Sequence, residues 1–393
     1  MNYDQILCRR ISDVPPSGIR KFFDIVSEMK DAISLGVGEP DFNTPWSYND
    51  AAIYSLRQGK THYTSNWGLI ELRRAISKYG QLRFGVEYDP AKEILVTVGA
   101  SEGIDLALRA LIEPGDEVLV PDPTYVSYKP GIVFSGGTCV TIPTVASDSF
   151  RMTPEALKAA ITEKTKALIF PYPNNPTGGV MRREHMQAIA DVLRGTNIIV
   201  IADEIYAELT YGGERHVSFA SLPGMWERTI TLNGFSKAFA MTGWRMGYAA
   251  GPRELLAVMC KIHQYTMLCA PTAGQYAALE AISIGMKNDF TDVMHMVRAY
   301  DRRRRLVVGL LNNAGLDCFE PGGAFYAFPS VKRTGMNAQE FCTELLKQQK
   351  VACVPGDAFG ELGEGHIRIS YAAATDKLIE AMKRIEKFVK GRV

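Results

Sequence analysis

The chain has 393 residues, with 44 lysines and arginines against 43 aspartates and glutamates and a hydrophobic fraction of 46%. That length leaves room for about two to three domains and a large core, and the balanced charge supplies no electrostatic footprint for nucleic acid or an anionic membrane. Seven scattered cysteines without a Cys-x-x-Cys spacing argue against a zinc ribbon or a disulfide framework, and no uncharged apolar run of about 18 residues reads as membrane-spanning, so a cytoplasmic protein with reduced thiols is expected.

Residues 1–30 read as an arm and a helix. Asp4, Arg9, Arg10 and Asp13 interrupt any signal-peptide run, Pro15-Pro16-Ser17-Gly18 breaks the chain, and Ile19, Phe22, Phe23, Ile25 and Val26 recur at helical spacing. A short strand at Ile33–Leu35 runs into Gly36-Val37-Gly38-Glu39-Pro40-Asp41-Phe42, a glycine-rich turn that lacks the third glycine of a dinucleotide fingerprint. Next comes an amphipathic helix from about Gly68 to Phe84, with Leu69, Leu72, Ile76, Tyr79 and Leu82 on its apolar side. A strand at 94–98 ends in Gly99-Ala100-Ser101-Glu102-Gly103 and a helix to about Ile112, a junction whose free N–H groups suit a phosphate.

From there the pattern is βαβα, with strands at 117–121, 138–142, 166–171, 197–202, 229–233 and 246–250 and helices at about 124–135, 154–161 and 183–194. Runs such as Ile198-Ile199-Val200-Ile201 lack alternation, which suits strands covered on both faces of a largely parallel sheet. Helical sequence from Arg253 to Ala314 leads to a smaller α+β segment with strands at Cys318–Phe319, Ala324–Phe328, Val351–Val354 and His366–Ser370 and helices at 337–349 and 374–390. Arg302 to Arg305 read as a solvated helix face, and the six scattered histidines show no metal-ligand spacing, so no metal is expected.

Ligands of such sheets lie beyond the strand C-termini, and three of those ends carry Asn174-Asn175-Pro176-Thr177-Gly178, Asp203-Glu204-Ile205-Tyr206, and Gly234 to Lys237. Lys237 and Arg245 stand eight positions apart among small neighbours. A lysine crowded by another cation and by apolar surroundings loses its proton readily and can hold an aldehyde as a Schiff base, while an arginine fork grips a phosphate. Aldehyde and phosphate together describe pyridoxal phosphate. Its ring needs a carboxylate beside the pyridine nitrogen, for which Asp203 is suited, and a phenol and an amide near the 3-oxygen, for which Tyr206 and Asn175 are suited. Tyr125 could cover the ring, and Arg368, alternating with Ile367 and Ile369, could take an amino-acid carboxylate.

Those motifs, with Ser236-Lys237, Thr242-Gly243-Trp244-Arg245 and His366-Ile367-Arg368-Ile369-Ser370, occur in an order and spacing that resembles the class I/II pyridoxal-phosphate aminotransferases, most of all the aromatic branch and its bacterial relatives. The resemblance runs over nearly the whole chain. It implies PLP fold type I, an α/β fold: an arm and part of a small domain at 1–45, a large domain with a mostly parallel seven-stranded sheet at 46–290, and a small α+β domain at 291–393. It further implies that Lys237 is the Schiff-base lysine and proton carrier, that Asp203 pairs with the ring nitrogen, that Tyr206 and Asn175 hold the 3-oxygen, and that Tyr125 stacks on the ring. Ala100, Ser101, Ser236 and Arg245 are implied to hold the phosphate, although Gly234 stands where a phosphate-binding serine or threonine is common.

Tyr63 is implied to reach the neighbouring active site of a homodimer, and Arg368, Asn175 and the Gly38 backbone to take the substrate carboxylate. Ser101 replaces a lysine found in some aspartate-preferring relatives. Tyr63, Tyr326 and Phe359 are therefore expected to line an apolar or aromatic pocket, with 2-oxoglutarate as the acceptor by analogy. The alternatives are a carbon–sulfur β-lyase using the same cofactor and a non-catalytic cofactor-binding regulator.

Overall fold

A computed structural model describes residues 1–16, 29, 31–213 and 215–392. The helix expected from Ile19 to Val26 lies outside them. The strands are β1 (Ile33–Ser34), β2 (Ile94–Val98), β3 (Glu117–Asp122), β4 (Thr138–Pro143), β5 (Thr165–Phe170), β6 (Ile199–Asp203), β7 (Thr229–Gly234), β8 (Met246–Ala250), β9 (Tyr326–Ala327), β10 (Val351–Ala352), β11 (Val354–Pro355) and β12 (Ile367–Ser370).

Seven of them form one sheet in the order β2-β8-β7-β6-β5-β3-β4. All neighbours are parallel except β8, which runs antiparallel to both β2 and β7. The strands that read as unbroken apolar runs are buried on both faces. Ile169 and Ile201 pack with Ile104, Leu108, Leu256 and Met259 of the helices Gly99–Leu111 and Arg253–Thr266. Leu168, Val200 and Ala202, alternating with them, pack with Leu157, Met186, Ile189 and Leu193 of the helices Pro154–Ala160 and Arg183–Leu193. Period-2 alternation thus sends neighbouring residues to two separate helix layers, and both layers are apolar.

The C-terminal segment has two small sheets, β11-β12-β9 and β1-β10. The parallel β1–β10 pair ties the chain just before the Gly36–Phe42 turn to the far end of the sequence. The helix Ala338–Gln349 starts with a capping box, in which the Asn337 side chain accepts from the Glu340 N–H at 2.8 Å and the Glu340 carboxylate from the Asn337 N–H at 3.2 Å.

Some elements differ from expectation. Cys318–Phe319 is not a strand, because the Cys318 N–H and C=O are both engaged by the Asn312 side chain, at 2.9 and 3.3 Å. The 124–135 helix is shorter, Tyr128–Phe134, which leaves Tyr125 in the preceding turn. Leu82 is 57% exposed, and Ala75 and Phe84 join the buried side of Ile70–Phe84 instead. The stretch from Arg253 to Ala314 is three helices, Arg253–Thr266, Thr272–Asn288 and Thr291–Asn313, the last two separated by Asp289 and Phe290 at positive φ. Arg304 is buried and paired with Asp301 at 2.7 Å and Glu320 at 2.5 Å, and Arg303 with Asp41 at 2.8 Å, so these two are struts, while Arg302 and Arg305 lie on the solvated face expected of the run.

Candidate active site

Five sites at strand C-termini open into one cavity of about 550 Å³: Ala100 and Ser101 after β2, Tyr125 after β3, Asn175 after β5, Asp203 and Tyr206 at and after β6, and Ser236 and Lys237 after β7. Gly38, Arg245, Tyr326 and Arg368 complete the lining. Every residue singled out in the sequence therefore lines this space except Tyr63, which is 80% exposed, and Phe359, which packs behind Arg368.

Lys237 sits in the connection between β7 and β8. The hydroxyl of Thr44 anchors that connection by donating to the Ala240 carbonyl at 2.6 Å, and the Trp244 indole donates to the same hydroxyl at 3.2 Å. The Lys237 Nζ donates to the Gly38 carbonyl at 2.5 Å and lies 5.8 and 5.7 Å from the ring centres of Tyr206 and Phe325. Burial drives its pKa down from 10.5 to about 8; the nearby Glu39 opposes this, while the Arg368 and Arg245 guanidinium groups reinforce it.

That shift has a stability consequence. The folded chain holds this proton less tightly than the unfolded chain, so the charged amine costs stability below pH 8, and the cost fades as pH rises from 8 toward 10.5. In the cofactor-free protein Lys237→Met should therefore raise the melting temperature at pH 7 and lose that advantage near pH 10.5. Thermal scans across this range check it, and an advantage that grows with pH would contradict it.

Asp203 ends β6 and is 5% exposed. Its Oδ2 accepts from the Tyr128 hydroxyl at 2.7 Å and its Oδ1 from the Ile205 N–H at 3.2 Å. Burial raises its pKa in spite of these donors and of the Lys237 charge, the condition of a carboxylate awaiting a cation. Glu204 turns the opposite way, accepting from the Ser218 hydroxyl and the Phe219 N–H, both at 2.9 Å.

Arg368 is 3% exposed, and among the described residues no carboxylate answers it. It donates to the Asn175 Oδ1 at 2.8 Å and to the Gly36 carbonyl at 2.6 Å, between the rings of Tyr326 and Phe359 at 4.5 and 4.7 Å. Its Nε, though buried, lacks a partner. Because the Asn175 oxygen is committed to Arg368, its amide N–H₂ is the end left for a ligand.

At the cavity floor the helix Gly99–Leu111 begins against β8. A Cβ on Gly247 would come 2.5 Å from the Ala100 nitrogen, and one on Gly99, at φ +74°, 2.5 Å from an Arg245 nitrogen. Backbone N–H groups and a guanidinium are thereby brought to one spot, the geometry of an anion cradle. A serine at Gly234 has no room here, since its Cβ would meet the Met246 carbonyl at 2.9 Å.

The sequence reading missed Tyr128, Glu39 and Thr242. Tyr128 follows Tyr125 by three residues, and that spacing at a helix start was the available signal. Glu39 accepts from the Thr242 hydroxyl at 3.1 Å, which joins the glycine-rich turn to the lysine connection.

The family model for aminotransferase class I and II matches residues 30–385. The chain is 48% identical over 383 residues to an aspartate aminotransferase of Pyrococcus abyssi, covering 98% of each chain. It is 44% identical over 386 residues to aromatic-amino-acid aminotransferase 2 of Thermococcus litoralis, covering 98% of this chain and 99% of that one. The crystal structure of an aromatic aminotransferase from Pyrococcus horikoshii superposes with a TM-score of 0.90 at 46% identity, covering 94% of this chain and 99% of that chain.

Proposed function

Since the chain belongs to the class I and II aminotransferases, enzymes that depend on pyridoxal 5′-phosphate, we propose that it moves the amino group of an aromatic or other neutral L-amino acid to a 2-oxo acid such as 2-oxoglutarate. The observation that carries the substrate class is the inventory of cations. Lys237, Arg245 and Arg368 are the lysines and arginines lining the cavity among the described residues, Ser101 and Glu39 line it without adding a positive charge, and Ile104, Tyr125 and Val126 add apolar surface. Once those three cations have their roles, none of the described residues lining the cavity within one protomer remains to answer a side-chain carboxylate.

The cavity fits the cofactor on its own chemistry: an anion cradle at one end, a buried carboxylate waiting for a cation at the other, and an amine of lowered pKa between them. When bound, the cofactor supplies an aldehyde for the amino group and a ring that withdraws electrons from the substrate Cα. Lys237 would anchor the aldehyde, and its amine would move the proton at the substrate Cα. Its lowered pKa makes it a base near neutral pH.

Asp203 would keep the ring nitrogen protonated, and the Tyr128 hydroxyl fixes that carboxylate. Tyr206 and the Asn175 amide would take the 3-oxygen, Tyr125 would cover the ring, and the N–H groups of Ala100 and Ser101 would hold the phosphate with Arg245 and Ser236. Arg368, Asn175 and the Gly38 backbone would hold the substrate carboxylate.

A second copy of the chain completes the site through Tyr63. Around it, Tyr265, Met267 and Leu268 are 83, 46 and 37% exposed, and the segment is stiffened by Asn66 donating to the Leu268 carbonyl and Thr272 to the His62 carbonyl. That apolar patch suits a homodimer interface. The seven cysteines are unpaired, which suits the cytoplasm, and no described helix is long and apolar enough to cross a membrane.

The test is a donor panel without acceptor. Phenylalanine, tyrosine and other neutral donors are expected to bleach the cofactor's visible band faster than aspartate, and 2-oxoglutarate to restore it. A faster response to aspartate would overturn the substrate class. Pyruvate and ammonia released from a cysteine conjugate without acceptor would favour the β-lyase chemistry instead.

A further inference from the structure

Tyr326, expected to line the substrate side-chain pocket, lines the cavity and also meets Tyr206 through its hydroxyl and Arg368 through its ring. It lies on β9, opposite Ser370 of β12, and is 1% exposed. Its hydroxyl is 2.9 Å from that of Tyr206, and its ring lies 4.5 Å from the Arg368 guanidinium carbon. The hydroxyl also presses against Gly38, where a Cβ would come within 2.7 Å of it. The missing side chain at Gly38 is thus what admits the phenol, beside the carbonyl that receives Lys237.

We propose that Tyr326 is a positioning residue for transamination, donating its hydroxyl proton to Tyr206 so that Tyr206 can aim its own at the cofactor's ring oxygen, while the Tyr326 ring holds Arg368 in line for the substrate carboxylate. This rests on the reading above, in which Tyr206 serves that oxygen. Two phenols that share one hydrogen bond have one O–H pointing along it and one free to point elsewhere. In the empty site either can be the donor. Once Tyr206 turns its O–H to the ring oxygen, its lone pairs are open only to a donor, and the Tyr326 O–H is the neighbour placed to fill that role.

Aligned donors polarise one another, so Tyr206 becomes the stronger donor and the ionised form of the ring oxygen is favoured. Both phenols are buried deeply enough that burial raises their pKa, which keeps each a proton donor at neutral pH. The two roles of Tyr326 are separable, because phenylalanine keeps the ring and loses the relay, whereas leucine loses both.

The experiment titrates the visible band of the cofactor-loaded enzyme with pH in the wild type, Tyr206→Phe, Tyr326→Phe and the double variant. Affinity for 3-phenylpropionate, a carboxylate without an amine, is measured in the wild type, Tyr326→Phe and Tyr326→Leu. Tyr206→Phe is expected to raise the midpoint by about one unit, Tyr326→Phe by about half a unit in the same direction, and the double variant no further than Tyr206→Phe alone.

Tyr326→Phe should bind 3-phenylpropionate within about twofold of the wild type, and Tyr326→Leu about tenfold more weakly, as expected for a lost cation–π contact. A Tyr326→Phe midpoint equal to the wild type, with Tyr206→Phe shifted, overturns the relay and leaves the role of Tyr206 standing. Additive shifts in the double variant overturn it as well. An unshifted Tyr206→Phe removes the reading on which the relay rests, and the relay with it. Unchanged affinity in Tyr326→Leu overturns the support given to Arg368.

Discussion

Replacing Asp203 by asparagine should cut turnover roughly 10²- to 10⁴-fold while leaving the cofactor bound. Asparagine keeps the shape and can still accept the Tyr128 hydroxyl, found at 2.7 Å in the parent, so the change isolates the charge. In a buried site, removing one partner of an ion pair costs about 3–5 kcal/mol, because the other charge is left unanswered. On the proposed reading the group left unanswered would be the ring nitrogen, which would lose its proton, so the ring would withdraw electrons from Cα less effectively. Cofactor affinity should fall much less, since Lys237, Arg245 and the helix start are untouched. Single-turnover absorbance with a saturating donor measures the rate. A loss of less than about tenfold would mean that the carboxylate has a structural task only.

Arg368→Gln should lower kcat/KM for phenylalanine by about 2–5 kcal/mol, roughly 30- to several-thousand-fold. Glutamine is polar enough to serve the Gly36 carbonyl and the Asn175 oxygen, now bonded at 2.6 and 2.8 Å, but it brings no positive charge. A guanidinium 3% exposed with no carboxylate beside it is costly to a fold that has no use for it. Its unpartnered Nε is a further sign that the intended partner is a ligand. The control is 2-phenylethylamine, which lacks the carboxylate. The preference for phenylalanine over this amine should collapse in the variant, and an unchanged preference would remove Arg368 from substrate binding.

The parts of this site that were legible in the sequence are those whose signal is local. A long apolar strand that ends in a carboxylate, as at Ile199–Asp203, or in an amide, as before Asn175, declares that a polar group sits at the edge of the sheet, where ligands collect. The lysine–arginine pair on one connection declares itself in the same way. Residues that act across the fold had no such signal. Tyr128 reads as one more core aromatic until the end of β6 is placed beside it, and the Tyr206–Tyr326 contact joins positions 120 residues apart.

Leu82 misled because a helical stripe about 100° wide leaves its flanking positions undecided, and Ala75 and Phe84 took the place assigned to it. Cys318–Phe319 misled because a short apolar pair looks like a strand whether its backbone groups meet a ladder or, as here, a single asparagine side chain. Arg303 and Arg304 depart from the solvated face that Arg302 and Arg305 keep, because their partners Asp41 and Glu320 lie 262 and 16 residues away in sequence.

The proposed chemistry requires the amine at position 237 to be the group that bonds the cofactor aldehyde. Borohydride reduction of the protein loaded with pyridoxal phosphate, followed by peptide mapping, tests this directly. The expected result is one stoichiometric label, on the peptide containing Lys237. A label on a different lysine, or none on that peptide, would contradict it.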